Sequence, residues 1–208
     1  MALFPFNTNW PRRAQSDVPG IRTVLGAGVC YAPGNLAASD DDRFVVAVDM
    51  KVGAYALAET TMPEAAVARK LLIAVTQDAP GGNDTMGTLT IVGTDIAGQP
   101  LTETIAPAAN TTKTTLNAFK TVESITGAGW ARDGAAGSED TIKIGTSEAF
   151  GLPDLLTDTA QVVCASLNNV REAVAPTVTV SATVLALNTV DLATTPLTGT
   201  PVKVYYWL

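Results

Sequence analysis

Thr88-Leu89-Thr90-Ile91-Val92, then Gly93-Thr94-Asp95-Ile96-Ala97-Gly98-Gln99-Pro100, then Leu101-Thr102-Glu103-Thr104-Ile105: the reading of these residues decides the fold. Leu89 and Ile91 fall on one face of an extended chain, Thr88 and Thr90 on the other. That period of two predicts a half-buried strand. A second strand follows at Leu101–Ile105, and Asp95 and Gly98 suit the connection between them, because such turns need side-chain acceptors and positive φ. The stretch predicts a β-hairpin.

The same material fills the rest of the chain. Threonine occupies 29 of the 208 positions, alternating with valine and alanine in short runs broken by Gly, Pro, Asn and Asp. This pattern predicts many short strands joined by tight loops. Further strands are expected at Phe44–Val48, Lys70–Gln77, Thr141–Ile144, Gln161–Leu167, Thr177–Val184 and Val202–Trp207. In Thr177–Val184 the residues Val178, Val180, Ala182 and Val184 would face the core. Leu185 and Leu187 then continue on the opposite parity, as at a β-bulge or a change of sheet. Only Met62–Lys70 offers a short helix, with Pro63 early and Glu64 in its first turn. The fold class is all-β, a β-sandwich or barrel-like domain over residues 41–208. Residues 1–40 are rich in Pro, Gly and Asn and read as an extended N-terminal arm.

Composition narrows the function. The chain is 47% hydrophobic and 16% charged, which excludes an intrinsically disordered protein. No apolar run approaches the ~20 residues of a membrane-spanning helix, so no membrane partner is expected. A net charge of −7 argues against a nucleic-acid partner. The absence of histidine removes Ser-His-Asp chemistry and the commonest zinc ligand. No cofactor is expected: Gly26-Ala27-Gly28 opens like a dinucleotide fingerprint, but Tyr31 stands where the third glycine belongs. The start of the chain lacks a basic region before its apolar residues, so a cytoplasmic site of synthesis and assembly is expected. Cys30 and Cys164 lie in apolar segments and read as small buried hydrophobes.

Other chemistry has simpler readings. Asp40-Asp41-Asp42, and Asp78 with Asn83 and Asp84, lack the spacing of a calcium loop and read as solvated acidic loops. Glu103, Glu123, Asp140, Glu148 and Asp154 could supply a hydrolase carboxylate pair, but no pair stands out. Trp130, planted in a glycine-rich loop, could serve as a stacking platform for a glycan. At the C-terminus Tyr206 is expected in the core, with Tyr205 and Trp207 facing out. Phe4, Phe6 and Trp10, beside Arg12 and Arg13, have no local amphipathic element to join. Aromatic residues and arginine dominate interface hot spots, so these five are the expected partner-binding residues.

The hairpin motif Gly93-Thr94-Asp95 … Gly98 … Thr102-Glu103-Thr104-Ile105, followed by a strand in Ala118-Phe119-Lys120-Thr121-Val122-Glu123-Ser124-Ile125, resembles tailed-bacteriophage virion proteins. Lys51-Val52-Gly53-Ala54-Tyr55 and Ile144-Gly145-Thr146 are similar to that group as well. The resemblance covers the middle third of the chain. Within the group, size and acidity are most similar to capsid decoration (cement) proteins. That implies a non-enzymatic role on the capsid exterior, with the major capsid protein and further copies of the chain, as a homotrimer, for partners. A tail, head-fibre or adaptor subunit ranks next, then a carbohydrate-binding β-sandwich, then a carboxylate hydrolase.

Overall fold

The computed structural model describes residues 28–77, 85–131, 140–194 and 199–208, and the backbone alone at 13–15 and 22–24. Among them the chain is all-β, with antiparallel ladders throughout. β1 (Arg13–Gln15) and β2 (Arg22–Val24) pair only with each other. There follow β3 (Gly28–Leu36), β4 (Asp40–Asp49), β5 (Gly53–Ala54), β6 (Arg69–Thr76), β7 (Thr88–Thr94) and β8 (Pro100–Ile105). Then come β9 (Thr112–Phe119), β10 (Thr121–Ala128), β11 (Thr141–Gly151), β12 (Val162–Leu167) and β13 (Val170–Arg171). β14 (Thr177–Thr179), β15 (Thr189–Asp191) and β16 (Thr200–Trp207) complete the set.

The hairpin forms as expected. β7 and β8 pair in unbroken register from Leu89 opposite Ile105 to Thr94 opposite Pro100. Asp95 carries the turn: its Oδ1 accepts hydrogen bonds from the backbone of Ala97 and Gln99, both at 2.9 Å, and Gly98 takes the positive φ of 80°. Leu89 and Ile91 are buried while Thr90 and Thr104 meet across the ladder.

Three sheets build the body. β5-β10-β7-β8 forms the first, and β13-β12-β16-β3 the third. The second runs β14-β15-β11-β6-β9, with β4 also paired to β11. Two apolar cores lie between them. Phe44, Leu71, Ile91, Phe119 and Ile125 belong to one, and Leu36, Val67, Val190, Val204 and Tyr206 to the other. β11 serves both, sending Ile142 and Ile144 into the first and Phe150 into the second. β4 crosses it at Gly145, where a Cβ would sit 1.8 Å from the carbonyl oxygen of Asp40. Only glycine fits that crossing.

Four expectations change. The arm does not extend to residue 40, because Gly28–Leu36 is a strand hydrogen-bonded along β16. Met62–Lys70 is not helical. Val67, Ala68 and Arg69 are all buried, which one helix face cannot achieve, and the chain is already extended at Arg69. Ala118–Ile125 is two strands, since Lys120 turns the chain from the second sheet into the first. Thr177–Val184 stops as a strand at Thr179. There the Ser181 hydroxyl accepts hydrogen bonds from the backbone of Thr183 and Val184, drawing the chain into a turn and leaving Val184 41% exposed.

Candidate functional site

Two wide bulges flank one short piece of β6. On β11, Thr146 pairs with Leu71 and Phe150 with Arg69, so Ser147, Glu148 and Ala149 stand opposite Lys70 alone. On β9, Ala118 pairs with Lys70 and Thr114 with Leu72, so three residues oppose Leu71. Bulges break the ladder and re-aim side chains. The β9 bulge is sealed from within. Thr115 Oγ1 accepts from the Leu71 N–H at 2.9 Å, and Glu103 accepts from the Leu116 and Asn117 backbone and the Asn117 amide. The β11 bulge is left open. Ser147 Oγ and Glu148 Oε2 are buried without a hydrogen-bond partner among the described residues.

That opening is a cleft of about 310 Å³, lined by Ser39, Lys70, Ser147, Glu148, Thr189 and Asp191, with Thr114, Thr177 and Thr179 at its rim. Burial raises the Glu148 pKa, against a Ser39 backbone hydrogen bond and the positive Arg69. It raises that of Asp191 too, against the attraction of Lys70, and lowers that of Lys70, against Asp191 and Glu103. Among the described residues, Lys70 closes no ion pair within 4.0 Å. Perturbed titrating groups gathered in a cleft make it a candidate functional site.

The two raised carboxylates also set a pH dependence. Their contribution to stability is fully present below about pH 4, the ordinary carboxylate range, and is lost as the pH rises through their raised values. E148Q/D191N is therefore expected to melt higher than the parent at pH 7, by about 2 °C. The gap should close at pH 4 in a calorimetric series.

Beneath the cleft lies a fully buried cation. Arg69 donates through Nη2 to the Ala37 carbonyl at 2.6 Å and through Nη1 to that of Ala38 at 3.3 Å. Its Nε sits 3.6 Å from Glu64 Oε2, and Glu64 in turn accepts from the Ala37 N–H. The group fastens the β3–β4 corner to the start of β6.

Other expected candidates are dispersed. Phe4, Phe6, Trp10 and Arg12 lie outside the described residues, as do Asp78, Asn83 and Asp84; Arg13 opens β1, where only the backbone is described. Asp40, Asp41 and Asp42 gather their carboxylates, but on a strand rather than a loop. Asp42 donates its N–H to Asp40, and Asp41 pairs with Lys143 at 3.2 Å. Of the five candidate carboxylates, only Glu148 lines the cleft. Glu103 holds the β9 bulge, Asp154 accepts from the Tyr206 hydroxyl, Glu123 is exposed and Asp140 is buried. Trp130 is half-buried and packs against the first core, with its Nε1 buried. Lys70, Ser147 and Asp191 were not singled out by sequence. Their one signal is the broken alternation of Thr146-Ser147-Glu148-Ala149.

A second feature is apolar. Tyr206 is buried, while Tyr205 and Trp207 stand 37% and 38% exposed on the outer face of the third sheet beside Val163 at 49%. Trp207 lies across Gly28, and with Cys30 these residues line a shallow hollow of about 200 Å³. The cysteines are therefore not core residues: Cys30 is exposed and Cys164 half-buried, each paired to Tyr205 from opposite sides. Two strand spacings separate them, about 10 Å, which is beyond disulfide reach. No helix of the described residues is long and apolar enough to cross a membrane.

No protein-family model, curated protein or solved structure matches this chain.

Proposed function

We propose that this chain is a structural protein of a tailed-bacteriophage virion that decorates the capsid exterior and bridges neighbouring copies of the major capsid protein, itself assembled as a homotrimer. The observation that carries this reading is the apolar outer face formed by Val163, Tyr205 and Trp207. Tyrosine and tryptophan at a partly exposed, shallow hollow are the residue types from which interface hot spots are built. This face begins at Gly28, where the preceding residues, with Phe4, Phe6, Trp10, Arg12 and Arg13, join the body. The sequence resemblance supports the same reading. So does the β1–β2 hairpin, since a lone two-stranded sheet is at best marginal in water and gains stability on a surface. Repeated contacts around a shell add by multivalency, and net acidity favours the outside of a capsid over the DNA-filled inside.

Sedimentation with capsids stripped of this protein tests the proposal. The full chain should co-sediment and add regular exterior density. Deleting residues 2–13, or combining Tyr205→Ser with Trp207→Ser, should lower capsid affinity about 100-fold while leaving the cooperative melting of the β body in place. Undiminished binding by both variants overturns the interface. Absence of binding by the full chain, with rings or tubes of it instead, assigns a tail component.

A further inference from the structure

The open cleft on β11 shares no lining residue with the apolar face proposed for the capsid contact, and its chemistry stands independently of that proposal. Ser147 is 7% exposed, lines the cleft, and has no hydrogen-bond partner among the described residues for its Oγ. Beside it Glu148 Oε2 is likewise buried and unpartnered. A buried polar atom left unpaired is costly, and three β11 residues opposite one on β6 are a bulge that re-aims side chains rather than a regular ladder. The neighbouring bulge on β9 shows what a sealed one looks like, with Glu103 taking up its backbone donors. The cleft is thus open, with polar groups set into a mostly apolar lining.

We infer that this cleft binds a saccharide unit, held between Glu148 and Asp191 on one side and Lys70 on the other. Charge selects that class. Lys70 and Asp191 offset one another, and burial favours the neutral form of Glu148, so the cleft offers neither an anion nor a cation an uncompensated counter-charge. A neutral polyol needs none. Its vicinal hydroxyls donate to the carboxylates and accept from the ammonium, and six hydroxyl side chains around the cleft, including Ser39, Ser147 and Thr189, can turn to do either. Leu72, Ala149 and the threonine methyls meet the C–H faces of the ring. A volume of about 310 Å³ is at the small end of ligand clefts, which fits one or two sugar rings rather than a long chain. No aromatic side chain lines the cleft among the described residues, so affinity rests on hydrogen bonds and is expected near Kd of about 1 mM.

The test is a ¹⁵N NMR titration of the full chain with glucose, galactose, N-acetylglucosamine and their β-linked disaccharides, with acetate, methylammonium and zwitterionic glycine as controls. At least one sugar should shift the amides of Ser147, Glu148 and Asp191 saturably. Ser147→Ala and Asp191→Asn should each weaken that binding about tenfold with the rest of the spectrum unmoved. Three outcomes overturn the inference: no sugar shifts these amides at about 50 mM, the shifts centre on Trp130, or a control titrates the cleft and the sugars do not.

Discussion

Replacing Arg69 by alanine is expected to lower stability by about 3–5 kcal/mol and the melting temperature by about 10 °C. The guanidinium is fully buried and serves three partners: the Ala37 and Ala38 carbonyls and the Glu64 carboxylate. Truncation leaves two carbonyls without donors and a carboxylate, itself only 13% exposed, without its counter-charge. It also loosens the β3–β4 corner, which is tied to β6 through this side chain. The charge pair as such is not the source of stability, because desolvating two ions offsets most of their attraction. Combining Arg69→Met with Glu64→Gln should therefore recover at least half of what Arg69→Ala loses. Urea unfolding of the single and double variants measures both numbers. A double variant no more stable than Arg69→Ala would show that the charges themselves hold the corner.

Asn188→Ala is expected to lower stability by about 3–4 kcal/mol through a different route. Its Oδ1 accepts from the Leu156 and Ser181 N–H groups, at 3.0 and 3.1 Å, and its Nδ2 donates to the Ser181, Val184 and Leu185 carbonyls. One fully buried amide thus closes the turn after β14 and the turn after β11 together. Alanine leaves the Leu156 N–H buried and unpaired and takes the partner from the half-buried Ser181 N–H. Asn188→Asp keeps the acceptor and loses the donor, so it should fall short of wild type at pH 7. Thermal melts with matched refolding curves give the order of the three proteins.

How much of this the sequence disclosed depends on the range of the interaction. The β7–β8 hairpin is legible because its alternation, its Asp95 turn and its Gly98 all act within eighteen residues. The strands at Phe44–Val48, Lys70–Gln77 and Val202–Trp207 are legible for the same reason, and so is the inward Tyr206. Thr177–Val184 misleads because Ser181 offers its hydroxyl to the backbone two and three residues on, and that local competition outweighs the alternation. Lys120 hides a corner, since nothing in Ala118–Ile125 marks where one sheet hands the chain to another. The cleft lies further out of reach. Lys70, Ser147 and Asp191 come together only because β6, β11 and β15 are neighbours in that order, and the bulge that opens it appears in sequence merely as lost alternation. Arg69 stands at the end of an apparent amphipathic segment, where a buried cation has no local signature.

β11 runs from one apolar core into the other, and this governs how the molecule comes apart. Ile142 and Phe150 lie on one strand, either side of the Ser147–Ala149 bulge, so each core loses part of its wall when the other melts. Heat should then find one calorimetric transition, with van't Hoff and calorimetric enthalpies equal, where two side-by-side cores would ordinarily give two. Amide protons at both ends of the strand should exchange through the same global opening, with the same opening free energy. Among the described residues the two cores thus share a wall rather than meeting at a seam.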